Sequence, residues 1–333
     1  MHLDQQITTL EAHLAAHPDD ARTRYHLGLL LAEHHHDPAA GRKHLLQWLL
    51  DQIGHSDPAE AEQRLRTAVD RDRDPRSQLM LGHLLGYLGR ADEADTELQR
   101  ATRWQTRTTP HFELCTVPGS TASSELDTIA ATREAGLQTI EALFGLGPDP
   151  GLRIRYYLYE TELHKHALTG DPMPAHAFCD RAEIHAVVGP ATRVDSIHED
   201  VHIVLRRLGR PCRFLEEGAA IFAEHGPEVH AWFAAATRNQ PAPALSTLLD
   251  DETFDASDLW VTYPMAGSFV AFLMAELGRR RFLELYPTAG DQVPARTRRM
   301  TGLSLDALEA RWLAAARVRV RSDTAGASGA ADA

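Results

Sequence analysis

The chain has 333 residues, of which 43% are hydrophobic and 24% charged, and a formal net charge of −13. That length accommodates two domains of ordinary size, the composition is that of a globular protein, and the acidic balance argues against a general binder of nucleic acid or anionic membrane, which needs a basic footprint. No apolar run approaches the roughly 18 residues of a membrane span. Met1-His2-Leu3-Asp4-Gln5-Gln6 lacks the basic and apolar regions of a secretory signal, and Cys115, Cys179 and Cys212 are too few and too scattered for a disulfide framework. A cytoplasmic location is therefore expected, with no nucleic-acid and no membrane partner.

The first hundred or so residues read as paired helices. Leu81-Gly82, Leu85, Gly89, Ala94, Leu98 and Ala101 put small residues where two antiparallel helices touch and larger ones in the seam. Leu27-Gly28 with Ala40 repeats part of that spacing, Pro18 falls between units, and Asp57-Pro58-Ala59-Glu60-Ala61 with Leu65 and Ala68 reads as a second helix whose first partner is degenerate. Residues 1–105 resemble the tetratricopeptide family, most closely in the last unit. The resemblance implies a groove for a partner protein or peptide, or else a structural spacer. Such units need neighbours to bury a core, so this short array is expected to lean on the domain that follows. His34-His35-His36, beside Asp37-Pro38, reads as a solvated inter-helix turn rather than a metal tract.

From about residue 108 the pattern changes. His111–Val117 alternates as a strand and Pro118-Gly119 ends it. Glu125 to Phe144 has a helical period through Leu126, Ile129, Leu137, Ile140 and Leu143, closed by Gly145. Leu152–Tyr159 reads as a second strand, Thr161–Leu168 as a short helix, and Ala182–Val188 as a third strand ended by Gly189-Pro190. The remainder is helical to about Val320. Strands first and helices after give an α+β, predominantly helical fold. Its parts are an N-terminal α-hairpin array over 1–107, a domain over 108–320 with a small sheet and a helical C-terminal half, and a tail over 321–333 too poor in apolar residues to stay ordered.

His198-Glu199-Asp200-Val201-His202 carries the chemistry. Thr192 to Gly209 has apolar residues at helical spacing (Val194, Ile197, Val201, Val204, Leu205, Leu208), and Gly209-Arg210-Pro211 stops the helix. An HExxH on a helix sets two imidazoles one turn apart on one face, able to bind a single Zn²⁺, with the intervening glutamate in reach of a metal-bound water. A third ligand is needed, and catalysis needs a fourth position left open. Fifteen residues after His202 begins Phe214-Leu215-Glu216-Glu217-Gly218-Ala219, and Glu217 is the candidate. Glu216 competes with it; the small pair Gly218-Ala219 favours Glu217, since it lets this helix approach the metal helix. Cys212 reads as a small buried hydrophobe.

With Tyr263-Pro264-Met265-Ala266-Gly267-Ser268-Phe269, Leu273, Gly278 and Phe282, these blocks resemble a gluzincin, a peptidase-MA-like zinc metallopeptidase domain often joined to tetratricopeptide repeats. The resemblance covers about residues 108–320 and implies a zincin-like fold holding one Zn²⁺ per chain through His198, His202 and Glu217. It implies Glu199 as general base and Tyr263 as the oxyanion donor, roles consistent with acid–base and electrostatic catalysis. The chain departs from the family pattern in three places. Asp200 stands where an apolar residue is usual and reads as facing solvent. Phe214 replaces a tryptophan. Ile221 replaces an acidic residue four positions after the third ligand, whose part in orienting a ligand histidine Glu224 could take. Tyr263 also reads as a helix-start aromatic, with Pro264 in the first turn.

No G-x-M-E-N motif, the amine anchor of aminopeptidase relatives, is present, and Glu183 reads as a solvated edge-strand carboxylate. The expected function is thus zinc-dependent peptide-bond hydrolysis of a peptide or protein substrate, by an endopeptidase or specialised processing enzyme. The strand at 182–188 is open to an extended peptide. The alternative is a non-catalytic interaction protein whose repeats bind a partner and whose metal-binding domain is retained; an intact Glu199 weighs against it, since a structural site has no use for a base.

Overall fold

Asp37-Pro38, Asp57-Pro58 and Asp74-Pro75 each open a helix in the computed structural model, which describes residues 3–34, 37–171, 173–189, 196–238 and 242–329. The aspartate accepts backbone N–H bonds from the first turn (Ala40; Ala59 and Glu60; Arg76 and Ser77), and proline at the first helical position lacks only an N–H that had no partner there. The N-terminal helices are α1 (Leu3–Ala16), α2 (Ala21–Leu29), α3 (Pro38–Ile53), α4 (Pro58–Asp72), α5 (Pro75–Tyr87) and α6 (Ala91–Ala101). Leu30–His34 extends α2 as a π-helical turn, so His34 is helical; His35 and His36 lie outside the described residues.

Consecutive helices pack as pairs, α2 on α3 and α5 on α6. A Cβ at Gly28 would stand 2.8 Å from Leu45 Cγ, and one at Gly82 2.6 Å from Leu98 Cγ, so glycine is what lets each pair close. Tyr25, Leu45, Trp48, Leu49, Leu65, Leu84 and Leu85 fill the seam.

The sheet holds β1 (Gln105–Thr108), β2 (Phe112–Thr116), β3 (Ile154–Tyr159), β4 (Ala175–Phe178) and β5 (Glu183–Val187), in the order β1-β2-β3-β5-β4. β1 is antiparallel to β2, while β2–β3 and β3–β5 are parallel, so the sheet is mixed. In register, Leu114, Tyr156 and Ile184 line one buried face. Helices α7 (Thr121–Ser124) and α8 (Leu126–Phe144) follow β2, and α9 (Glu162–Thr169) follows β3. The protein is thus predominantly helical with one small mixed sheet, an α+β arrangement.

β1 and β4 were not expected from the sequence. Gln105-Thr106-Arg107-Thr108 has no apolar residue to signal a strand and is exposed throughout, and β4 is only four residues long. β4 corrects the expectation for 182–188: β5 has strands on both sides, so it is not an edge and has no free ladder for an added peptide. Glu183 is not a solvated edge carboxylate either, but pairs with Arg155 at 3.6 Å.

One compact unit comprises Met1–Thr132, Arg153–His176 and Glu183–Asp195, and the other Arg133–Leu152, Ala177–Ala182 and Ser196–Ala333. In the first unit the N-terminal helices are tied to α9. The Tyr25 hydroxyl donates to Glu162, Thr161 Oγ1 and His83 Nε2 are 2.7 Å apart, and Thr102 Oγ1 and His164 Nε2 are 3.0 Å apart. Burial lowers the pKa of both imidazoles to about 3, so each is neutral.

The second unit is built from α10 (His198–Arg206), α11 (Arg213–His225), α12 (Val229–Ala236), α13 (Leu245–Leu248), α14 (Asp251–Asp255), α15 (Leu259–Leu277), α16 (Arg279–Leu285), α17 (Val293–Thr301) and α18 (Leu305–Gly329). α15 packs against α11, α12, α16 and α18. Contrary to the sequence expectation, α15 is long and apolar enough to cross a membrane by length and composition; 67% of that stretch is buried, so its apolar surface goes into the core. Buried Trp312 donates to Ser268 Oγ at 3.0 Å and lies against Phe233 and Phe269. α18 runs on through residues 321–329 of the segment expected to be disordered. Residues 330–333 are outside the described set.

Candidate metal centre

α10 starts at His198 itself, and Val194 lies outside the described residues. His198 and His202 are four apart and their rings share one face, with centroids 4.9 Å apart. α11 packs beside α10 and brings Glu217, buried in its second turn. Glu217 Oε2 is 3.2 Å from His198 Nε2 and 3.6 Å from His202 Nε2. The three donor atoms lie within 4.8 Å of one another and form a group that could hold a metal ion. Two ligands bound at about 2.0–2.1 Å to a tetrahedral zinc stand roughly 3.3–3.4 Å apart. The separations of 3.2 and 3.6 Å bracket that edge, and two imidazoles with one carboxylate are a donor set zinc accepts. Glu216 is not in this group; it pairs with Arg213 at 3.1 Å.

His198 Nδ1 lies 3.5 Å from Glu224 Oε2, so the Glu224 carboxylate faces this candidate ligand. Burial alone would lower the His198 pKa, but Glu217 and Glu224 outweigh it and hold the imidazole at about 10. Burial would raise Glu217, and the histidines instead keep it well below the usual carboxylate range. A divalent cation would displace the imidazolium proton on taking this pair as ligands.

Tyr263 lies beside the group. Its ring is 6.4 Å from that of His198 and 6.0 Å from that of Phe254, stacked on both. Burial raises the phenol above its usual range, as do the charges of Glu217 and Glu199, so it remains a protonated donor. The expected helix start is corrected: α15 begins at Leu259, capped by Asp258, so Tyr263 is in its second turn and Pro264 is inside the helix. Glu199 is part-exposed on α10, and its charge is felt at His198, Tyr263 and Cys179.

Two expectations fail here for the same geometric reason, the direction in which a helix points each side chain. Asp200 does not face solvent. Two residues from either histidine, it points to the opposite side of α10, where it is 1% exposed and accepts from Arg133 Nη1 at 2.8 Å. Arg133 Nη1 also donates to the Ser196 carbonyl at 2.8 Å, fixing the entry to the helix. Gly218 does not face α10 either: its Cβ would stand 2.6 Å from the Ala266 carbonyl, so it brings α11 close to the tyrosine helix α15 instead.

Sequence reasoning missed Arg133 and Arg213. Both had a signal. Arg133 interrupts the apolar stripe of α8 between Ile129 and Leu137, and Arg213 precedes Glu217 by four residues, the spacing of a helical ion pair. Cys212 is buried, as a small hydrophobe would be. The chain matches no family model, no curated protein and no solved structure.

Proposed function

We propose that the protein is a zinc-dependent peptide hydrolase of gluzincin type, acting as an endopeptidase or specialised processing enzyme. The observation that carries the reading is that Glu217 Oε2 stands 3.2 Å from His198 Nε2 and 3.6 Å from His202 Nε2, close to a tetrahedral edge, with Glu199 on the helix of the two histidines. A bound Zn²⁺ would act as Lewis acid on the scissile carbonyl and raise the acidity of a water at neutral pH. The chain's own residues do the rest. Glu199 takes the proton of the attacking water and returns it to the leaving amine. Tyr263, kept protonated, donates to the oxyanion that forms on the substrate carbonyl. Glu224 holds His198 by Nδ1 and leaves Nε2 directed at Glu217.

The N-terminal helices are, in the same proposal, a tetratricopeptide-like array offering a surface to a partner protein, supported by the glycine-closed pairs α2–α3 and α5–α6.

Metal analysis of the purified chain tests the reading. A single zinc per chain is expected, and His202→Ala should lose most of it, since each imidazole supplies a direct bond. Full zinc occupancy in His202→Ala would reject the ligand set.

A further inference from the structure

Arg213 opens α11 one turn before Glu217, and its guanidinium is held on several sides. Nη1 donates to Glu216 Oε2 at 3.1 Å and Nε to Asp255 Oδ1 at 3.3 Å, while Nη2 forms an ion pair with Glu217 Oε1 at 2.9 Å. Its backbone N–H donates to Asp251 Oδ1 at 2.7 Å, in a helix whose N-cap residue, Cys212, makes no side-chain cap bond. The Glu217 carboxylate is therefore shared: Oε1 pairs with Arg213, Oε2 faces the two imidazoles, and the Tyr263 hydroxyl is also hydrogen-bonded to the carboxylate.

This division has a consequence for any cation bound there. Two imidazoles and both oxygens of one carboxylate would fill four positions, the closed set of a structural site. Two imidazoles and one oxygen leave a position for a reacting group. A planar guanidinium with five fixed donors can hold three carboxylates at once, which a lysine ammonium on a flexible stem does less well.

We propose that Arg213 is a positioning residue for Glu217: by occupying Oε1 it limits the carboxylate to one metal bond and keeps a coordination position open. The inference rests on the metal-site reading above and adds to it the reason the site is open rather than closed. Arg213 itself touches neither substrate nor metal.

The test uses the full chain loaded with Co²⁺, whose visible spectrum reports coordination, and acetohydroxamate as a small probe of the open position. The unmodified chain should bind Co²⁺ and then the hydroxamate, with a spectral change. Arg213→Met should still bind Co²⁺ but show altered visible bands and a hydroxamate affinity weaker by about 10–100-fold, the usual effect of removing an outer-shell partner. Arg213→Lys should fall between the two. Unchanged bands and unchanged hydroxamate affinity in Arg213→Met would overturn the role of Arg213 while leaving the metal site standing. Failure of the unmodified chain to bind Co²⁺ would overturn both. If Arg213→Met does not fold, the pair Glu216→Gln with Asp255→Asn, which loosens the guanidinium without removing it, decides by the same two readouts.

Discussion

Acid should loosen the first unit at a defined pair of residues. His83 and His164 are 2% and 0% exposed, their rings are 6.3 Å apart, and burial lowers both from 6.5 to about 3. A histidine whose pKa is depressed by folding contributes stability that is complete above the unfolded value. That stability is lost as pH falls toward the folded one, because the unfolded chain takes up the proton first. Between pH 7.5 and 5.5 the loss integrates to about 1.4 kcal/mol per histidine and roughly 2.7 kcal/mol for the two. His198, held at about 10, works in the opposite sense over the same interval, so the wild-type change alone is not diagnostic. Urea unfolding at both pH values should therefore be compared between the wild type and His83→Gln with His164→Gln, the difference of differences cancelling His198. The variant should lose about 2.7 kcal/mol of pH sensitivity, whatever its stability at pH 7.5. In the wild type, proton NMR should show that neither ring titrates above pH 5. Equal pH sensitivity in the two proteins, or a His164 resonance titrating near 6.5, would refute the argument.

On the hydrolase reading, Glu199→Gln should keep its zinc and lose about 10²–10⁴-fold in turnover of a peptide library, because an amide cannot accept the water's proton; undiminished turnover would overturn the mechanism. Tyr263→Phe should lower kcat by an amount equivalent to roughly 2.7–4 kcal/mol with little change in KM, since it removes a donor used only once the oxyanion forms; an unaffected kcat would return the tyrosine to a packing role. Arg133→Met should destabilise the second unit by about 3–5 kcal/mol in urea unfolding, because it strands the buried Asp200 carboxylate, whereas Arg133→Met with Asp200→Leu should recover most of that loss. A double variant no more stable than the single one would show that the pair is not the unit that matters.

Much of the fold was legible where one periodicity ruled a segment. The helix over 125–144, the strands beginning at His111 and Leu152 and the short helix after Thr161 all have apolar residues repeating at the spacing of the element they form. What was not legible is what a neighbour decides. β1 has no apolar residue at all and exists because β2 offers it a ladder, and β5 looks like an edge until β4 pairs beside it. The attachment of the N-terminal helices to α9 rests on Tyr25, His83 and Thr102, polar side chains with no pattern to announce them.

The candidate site shows the same division within a single helix. One face of α10 carries His198 and His202, and their spacing was enough to place both rings together, while Glu217 came from the separate block that begins at Phe214. The opposite face carries Asp200, and there the spacing said nothing, because its meaning depends on Arg133, 67 residues away in the chain. Yet Arg133 was readable as an anomaly, a cation on the apolar stripe of α8. Since burying one charge without the other costs about 3–5 kcal/mol, each is tolerable only where the other is found. Two such misplaced charges of opposite sign in a sequence are therefore better read as one contact than as two exceptions. Here that contact fixes the Ser196 carbonyl and with it the start of the helix on which His198 and Glu199 are displayed.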